Sequence, residues 1–285
     1  MQSESPSPPT AQTTSLSVLV PVYNEQDLVG RSLARLTVLA ESPLLERVQV
    51  IVVDDCSTDG TAAALEGFQR SLPAQRGKIE WAFRRHERNQ GKGGAVRTAL
   101  ELASCELSVV HDADLEYHPR DLLKFVPLFL EEGADAVYGS RFLPGEFKRA
   151  LFFRHSIGNH FLTFLCDLAC DLNLTDMETC YKMIRTDLLR TIPISSRDFR
   201  IEPELTIKLA KRGARMYEVP IRYSGRTYAE GKKINWRDGV LALFAIVRFG
   251  LSGNIRKPGA QTSPGRTEPQ AVESAAVTES LVREP

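Results

Sequence analysis

Short apolar runs alternate with segments of helical periodicity along the first half of the chain. Strands that are separated by helices indicate βαβ units and a mainly parallel sheet. The predicted strands are Leu16–Val20, Val48–Val53, Ile79–Phe83, Leu107–His111 and Asp135–Tyr138. The predicted helices between them are Asp27–Ala40, Thr58–Leu72, Gly93–Ala103 and Arg120–Glu131. The pattern therefore predicts an α/β fold of the Rossmann type, with a sheet flanked by helices.

Each of these strands is followed by an unusual polar cluster. Right-handed crossovers bring the carboxyl ends of parallel strands to one edge of the sheet, which is where open α/β sheets bind ligands. We therefore expect the clusters to lie close together at that edge. They comprise residues 21–25, 54–55, 89–92, 112–114 and 139–141.

Three acids occupy alternate positions after the strand 107–111, namely Asp112, Asp114 and Glu116. Carboxylates that lie this close at a strand end repel one another and require a compensating cation. A divalent Mg²⁺ or Mn²⁺ completes such a shell with phosphate oxygens. The alternative is a solvated acidic turn. His111 is predicted to pack at the strand end.

Asp54 and Asp55 follow the second strand, where a carboxylate can accept a hydrogen bond from a ribose hydroxyl or a base N–H. The alternative is helix capping, for which the nearby polar residues are suitable. In the loop 89–94, Lys92 is followed by glycine, so a P-loop is excluded. The loop favours an anion at a helix N-terminus, and the alternative is a glycine turn with a solvated lysine.

The second half of the chain has a different pattern. Helices are predicted over Phe152–Cys170, Glu202–Arg212 and Trp236–Leu251, and a strand over Arg215–Tyr223. The helix 236–251 carries an apolar stripe with basic residues around it. Such a stripe fits either the core or an amphipathic helix on an anionic bilayer surface.

Composition and charge exclude several classes of protein. The formal net charge is zero, which argues against a nucleic-acid-binding protein. The five cysteines lack metal-site spacing and indicate a reduced, cytoplasmic protein. Residues 1–15 and 252–285 are predicted to be disordered tails around one domain, 16–251. No apolar run is long enough to span a membrane.

Five ordered motifs resemble the signature of family 2 glycosyltransferases. They are Pro21-Val22-Tyr23-Asn24-Glu25, Val53-Asp54-Asp55-x-Ser57-x-Asp59-Gly60-Thr61, Asn89-x-Gly91-Lys92-Gly93, Asp112-Ala113-Asp114 and Gly139-Ser140-Arg141. Within the family, three later motifs are similar to those of the dolichyl- or polyprenyl-phosphate sugar synthases. These motifs are Asp176-x-x-Thr179-Cys180-Tyr181-Lys182, Phe199-x-x-Glu202-x-Glu204 and Glu218-Val219-Pro220-Ile221-x-Tyr223-x-x-Arg226.

The resemblance implies a GT-A-like domain with a nucleotide-sugar half, 16–145, and an acceptor half, 146–251. It implies roles for particular residues of this chain. The donor nucleoside would contact Pro21, Tyr23, Glu25, Val53 and Asp55. The metal and diphosphate would be held by Asp112, Ala113 and Asp114, with Glu116 as an additional metal ligand. Donor or acceptor phosphates would be neutralised by Lys92, Arg141, Arg154, Arg226 and Lys232.

We therefore expect a metal-dependent, inverting transfer of a sugar from a GDP- or UDP-sugar to a polyprenyl phosphate at the cytoplasmic membrane face. The helix 236–251 is expected to contact the bilayer surface. A homodimer is compatible with the sequence. One alternative is a soluble or glycan hydroxyl acceptor, which requires a general base besides the catalytic Asp114. Asp176 and Glu202 are the candidates for that base. The alternative from another class is a non-catalytic nucleotide-sugar-binding protein.

Overall fold

A seven-stranded mixed sheet forms the centre of the molecule, in the order β3-β2-β1-β4-β6-β5-β7. The computed structural model describes residues 12–73, 77–145, 149–150, 153–226 and 236–252. The predicted tails lie mostly outside these ranges, as do Lys232 and the side chain of Arg154. The strands are β1 (Thr14–Val22), β2 (Leu45–Asp54), β3 (Ile79–Arg85), β4 (Leu107–Val110), β5 (Ala136–Ser140), β6 (Lys182–Arg185) and β7 (Met216–Pro220).

The central strands are buried on both faces, as their apolar sequences require. β1 pairs in parallel with β2 and β4, so that Val18 lies between Val50 and Val109. All three of these side chains are fully or almost fully buried. The parallel pairing brings the carboxyl ends of these strands to one edge, as the sequence predicts.

The helices are α1 (Val29–Arg35), α2 (Thr61–Ser71), α3 (Lys92–Leu102), α4 (Val126–Leu130), α5 (Phe153–Cys170), α6 (Thr186–Arg190), α7 (Ile201–Lys211) and α8 (Trp236–Leu251). Two of the predicted helices are shorter and are joined to 3₁₀ segments, Leu36–Glu41 and Pro119–Lys124. In the second case Pro127 lies in the first turn of α4, where its missing N–H is tolerated.

β6 is a strand that the apolar pattern did not predict. It lies between β4 and β5 and is antiparallel to both. Two of its four residues are charged, Lys182 and Arg185, so it contains no apolar run. Lys182 is nevertheless buried, because its ammonium group has a carboxylate partner described below.

A second, smaller core lies beneath α5, α7 and α8. The three helices pack on one another there and bury Cys166 of α5, Ile207 of α7 and Ile246 of α8. Hence α8 packs on the domain through one face only. Among the described residues, no helix is sufficiently long and apolar to cross a membrane.

Candidate active site

The loops after β1, β2 and β4 share an uncommon backbone conformation at the carboxyl edge. Asn24, Cys56 and Leu115 have φ angles of 52°, 61° and 64°, in the left-handed region that favours glycine. Asn24 and Cys56 each lie two residues beyond their strand, and Leu115 lies five residues beyond β4. Non-glycine residues in this region cost free energy and concentrate at functional sites.

The first two of these loops are bound to each other. Asn24 accepts a hydrogen bond from the N–H of Thr58 at 2.9 Å, and Thr61 accepts one from the N–H of Glu25 at 2.8 Å. Asp59 also accepts from the N–H of Thr61 at 2.9 Å, which is the helix-start role proposed for this polar cluster. These bonds fix the loop that carries Tyr23 and Glu25.

Asp55 ties the loop after β3 to the end of β2. Its carboxylate accepts hydrogen bonds from the N–H groups of Gln90 at 2.8 Å and Gly91 at 2.7 Å. His86 approaches the same carboxylate at 2.7 Å. Asp55 is almost fully buried. Asp55 therefore positions the glycine loop, and its contact with a nucleoside stays a prediction.

The other side of the glycine loop rests on the backbone of residues 195–197. A Cβ on Gly91 would lie 2.1 Å from the carbonyl oxygen of Arg197, and one on Gly93 would lie 2.0 Å from that of Ser196. Gly91 also has a φ of 79°, so glycine is required there on two grounds. This close approach sets the direction in which Lys92 leaves the loop.

Lys92 joins the acidic strand end to the acceptor half. Its ammonium group lies 2.9 Å from Asp112 and 3.2 Å from Glu202, and Glu202 also binds Lys182 at 2.5 Å. Burial disfavours the charged form of Lys92, but Asp112 and Glu202 outweigh it and raise its pKa well above the usual range. The side chain predicted to bind a donor phosphate is therefore paired with two carboxylates.

Arg226 is a second cation that is paired with carboxylates of this cluster. Its guanidinium lies 3.2 Å from Asp114, 3.2 Å from Glu116 and 3.6 Å from Glu25. The hydroxyl of Tyr223 donates to the second oxygen of Glu116 at 2.6 Å. Both oxygens of Glu116 thus have partners from the chain itself.

The cluster carries an excess of negative charge. Its five carboxylates face three cations, which are Lys92, Lys182 and Arg226. Burial, together with Asp112 and Glu116, raises the pKa of Asp114 to about 7. Asp114 is thus partly protonated near neutral pH, and a divalent cation would favour its ionised form. Because its carboxylates outnumber its cations, the donor set fits a divalent cation by its chemistry.

The carboxylates that were predicted to hold such a cation are paired with other residues in this structure. Within the described ranges, no group of three or more His, Cys, Asp or Glu side chains is arranged as a metal site. Each of the three predicted ligands has a partner within the chain, which is Lys92 for Asp112, Arg226 for Asp114, and Tyr223 with Arg226 for Glu116. Their role as metal ligands stays a prediction. Two carboxylates with substrate phosphates are a common way to hold Mg²⁺.

The remaining predicted residues divide into exposed and enclosed side chains. Tyr23 is 40% exposed at the end of β1, where its ring is accessible to a ligand. Val53 and Ala113 are buried in the core, and Pro21 pairs with Val53 along the β1–β2 register. The nucleoside contacts predicted for these residues stay predictions.

Arg141 and Asp176 form a buried ion pair at the end of β5, with 2.7 Å between Nε and Oδ2. Asp176 has no exposed surface, and both of its oxygens are bound by Arg141. Glu202 is likewise paired with two lysines. Neither candidate base therefore has a free carboxylate in this structure.

Two residues of the site were not predicted from the sequence. Lys182 neutralises Glu202, and its burial shows only once β6 is in place. The buried Oε1 atom of Glu178 has no hydrogen-bond partner in the described part of the chain. Both belong to the motif 176–182, which is the signal that could have identified them. His111 is packed as predicted, and burial lowers its pKa to about 4.

Comparisons with known proteins identify the family of this chain. The family described as Glycosyl transferase family 2 matches residues 17–192. The chain belongs to glycosyl transferase family 2. An undecaprenyl-phosphate mannosyltransferase of Micrococcus luteus is 30% identical to this glycosyltransferase over 256 residues, which cover 82% of this chain and 93% of the relative. The predicted family and enzyme class are thereby confirmed.

Solved structures confirm the fold of the glycosyltransferase. Glucosyl-3-phosphoglycerate synthase from Mycobacterium tuberculosis, in complex with Mn²⁺, UDP and phosphoglyceric acid, matches with a TM-score of 0.62 and 18% identity, covering 85% of this chain and 80% of that one. Mannosyl-3-phosphoglycerate synthase from Rubrobacter xylanophilus matches with a TM-score of 0.58 and 20% identity, covering 83% and 73%. The predicted GT-A-like, single-domain α/β fold is confirmed.

Proposed function

We propose that this glycosyltransferase moves a sugar from a GDP- or UDP-sugar to a polyprenyl phosphate, with inversion at the anomeric carbon. The observation that carries the proposal is the excess of carboxylates beside Lys92 and Arg226 at the carboxyl edge. A divalent cation would neutralise these carboxylates, and Lys92 and Arg226 would then be available to the diphosphate of the nucleotide sugar. The name of the Micrococcus luteus relative supports the polyprenyl phosphate as acceptor.

Asp112 and Asp114 are the residues that we assign to a Mg²⁺ or Mn²⁺ ion. Such an ion stabilises the charge that develops on the leaving diphosphate. Lys92 is paired with Asp112 and Arg226 with Asp114. An ion bound to these two carboxylates would replace both cationic partners, which could then bind phosphate oxygens. In support of this assignment, glucosyl-3-phosphoglycerate synthase from Mycobacterium tuberculosis has been solved in complex with UDP and either Mn²⁺ or Mg²⁺.

The ion pairs of the acceptor half support a phosphate acceptor. A phosphate monoester is already anionic near neutral pH, so it attacks the sugar without a general base. Asp176 and Glu202 are bound to Arg141 and to two lysines, and are poorly suited to accept a proton. Association with the cytoplasmic membrane face, where a lipid acceptor is found, is part of the proposal.

Product analysis tests this proposal. The full chain is incubated with each GDP- and UDP-hexose, Mg²⁺ and polyprenyl phosphate in detergent, and lipid-linked sugar is measured by chromatography. Asp114→Asn should lower transfer by about a hundredfold or more. Asp187→Asn, on the exposed surface of α6, should leave it unchanged. Absence of transfer by the unmodified chain with every donor would overturn the acceptor assignment.

Transfer to a hydroxyl acceptor is the second candidate function. It is favoured by the environment of Glu178, whose buried Oε1 atom has no hydrogen-bond partner among the described residues. Burial raises the pKa of Glu178 to about 7, which suits a general base near neutral pH. Its nearest charges include Lys182 and Glu202 of the same network. If the acceptor is a hydroxyl, the transfer rate should rise with pH around pH 7 as Glu178 loses its proton, and Glu178→Gln should abolish that rise. With a phosphate acceptor the profile should not change.

A further inference from the structure

α5 and α8 lie side by side and expose two stripes of large apolar side chains. On α5 the stripe repeats at three- and four-residue spacing, so it occupies one face of the helix. Phe164 is 61% exposed and Phe244, on α8, is 58% exposed. We refer to both stripes together as the α5–α8 face. It consists of Phe153, Ile157, Phe161, Phe164 and Leu168 of α5 with Val240, Phe244, Val247 and Leu251 of α8.

These stripes are not part of the domain core. The opposite sides of the two helices already supply Cys166, Ala245 and Ile246 to the smaller core, where they are buried against α7. The α5–α8 face is therefore apolar surface additional to the core, and clusters of exposed large apolar side chains mark interaction sites.

A polar cavity of about 220 Å³ adjoins this face, between α8 and residues 195–200. Its charged lining consists of Arg197, Arg200 and Arg248, and Phe244 of the α5–α8 face forms part of the wall. We refer to this cavity as the arginine cleft. Ser195 and Ser196 also line the cleft, but their N–H groups and the Ser195 hydroxyl already donate to Glu204.

The arginine cleft has a net positive charge. Arg200 is neutralised by Asp198, with 2.8 Å between Nε and Oδ1. Arg197 and Arg248 are exposed and form no ion pair with the described residues. The Arg248 guanidinium lies over the ring of Phe249, with 5.3 Å between Cζ and the ring centroid. Two guanidinium groups thus remain for an anion.

We propose that the arginine cleft binds the phosphate of an anionic phospholipid in the bilayer on which the α5–α8 face rests. The proposal rests on the membrane association included in the proposed function. An apolar surface with cationic groups beside it is complementary to acyl chains and anionic headgroups, whereas a second copy of this chain would bring the same positive charges. Guanidinium groups are well suited to phosphate oxygens.

The arginine cleft is also connected to the active site. The carbonyl group of Arg197 accepts a hydrogen bond from the N–H of Gly93 at 3.0 Å, next to Lys92. A phosphate held by Arg197 therefore lies one backbone segment away from the Lys92–Asp112 pair. Binding there would fix the orientation of the catalytic edge with respect to the bilayer.

Vesicle binding by the full chain tests the proposal. Co-sedimentation is measured with phosphatidylcholine vesicles and with phosphatidylcholine vesicles that contain phosphatidylglycerol. The double variant Arg197→Gln/Arg248→Gln should lose the preference for the anionic vesicles, with binding weakened roughly thirtyfold. The control Arg31→Gln/Arg70→Gln removes the same charge from α1 and α2 and should retain the preference. Phe164→Ser/Phe244→Ser should weaken binding to both kinds of vesicle.

Three results would overturn the proposal. The first is an undiminished anionic preference in Arg197→Gln/Arg248→Gln. The second is stabilisation of the unmodified chain by inorganic phosphate at matched ionic strength, lost in that variant, without any vesicle preference. The third is a dimer, seen by sedimentation velocity, that Phe164→Ser/Phe244→Ser dissociates and that does not bind vesicles. Transfer assayed in detergent separates the proposals, because its absence counts only against the assigned reaction.

Discussion

The carboxylate of Asp176 binds the guanidinium of Arg141 at two points, with 2.7 Å between Nε and Oδ2 and 2.7 Å between Nη2 and Oδ1. A third bond, at 3.0 Å, comes from the backbone N–H of Arg141. The pair lies where the chain leaves β5 and where it returns toward β6. It therefore joins the two ends of the segment that contains α5.

Breaking this buried pair should be costly. Asp176→Asn leaves the Arg141 charge without its partner in a buried site, and we expect the free energy of unfolding to fall by about 3–5 kcal/mol. Glu80→Gln breaks the pair of Glu80 with Arg47, whose side chains are 39% and 38% exposed, and should cost less than about 1 kcal/mol. Urea unfolding measures both. Equal losses of unfolding free energy in the two variants would show that burial does not make the Arg141–Asp176 pair more important for stability than the Arg47–Glu80 pair.

The glycine loop allows a test of close packing. Gly93→Ala would bring a Cβ to 2.0 Å from the carbonyl oxygen of Ser196, so the backbone must shift. We expect a loss of about 1–3 kcal/mol in stability, and a loss of transfer because Lys92 moves with the loop. Thermal unfolding and the transfer assay measure these effects.

Gly67→Ala is the matched control for that substitution. Gly67 lies inside α2, and a Cβ there meets no atom within 4 Å. The alanine variant should gain about 0.5–1 kcal/mol from its better helix propensity. A destabilised Gly67→Ala would mean that the loss in Gly93→Ala is not specific to the contact with Ser196.

Glu204 should make stability depend on acid pH. Burial acts to raise its pKa, but hydrogen bonds from Lys208, Ser195 and Ser196 prevail and lower it from 4.5 to about 2. Because the pKa is lower in the folded state, this stabilisation is complete above about pH 4.5 and is lost as the pH falls toward about 2. It amounts to about 3 kcal/mol.

Chemical unfolding at both ends of this pH window provides the measurement. Glu204→Gln cannot titrate, so its stability should fall less steeply across the window than that of the unmodified chain. Identical slopes for the two proteins would contradict the assignment. The turn 195–196 that Glu204 holds is the support of Gly93, so transfer should also decrease in the variant.

Cys56 permits a direct measure of backbone strain beside the site. Its φ of 61° is one that an L-residue adopts at a cost of about 1 kcal/mol and that glycine adopts readily. Cys56→Gly should therefore be more stable than Cys56→Ala by up to about 1 kcal/mol, since both substitutions remove the thiol. Calorimetry of the two variants decides this, and an alanine variant of equal stability would exclude strain at this position.

The apolar pattern predicted β1–β5 to within a few residues, because each of these strands contains a mostly apolar run bounded by a polar turn. It missed β6, in which Lys182 is buried only because Glu202 lies beside it. Such a pairing joins residues from separate elements, and periodicity along the chain does not contain that information.

The same limit applied to the active site. The motifs correctly brought Asp112, Asp114 and Lys92 to one edge of the sheet, because strand direction determines where loops meet. They did not predict that Lys92 pairs with Asp112 or that Tyr223 occupies an oxygen of Glu116, since these contacts depend on side-chain directions at loop ends. The exposure of the α5 stripe likewise depends on which face α7 covers.

The opposite direction of β6 has a consequence for how this enzyme can diversify. The chain that leaves the sheet at the end of β5 returns to the same edge at the start of β6, so the stretch that contains α5 begins and ends at one edge of the sheet. An insertion, a deletion or an exchanged helix in this stretch shifts no strand register, provided that Arg141 and Asp176 still close its base. The helix of this stretch can thus vary while the strand order and the carboxyl edge of the sheet stay the same.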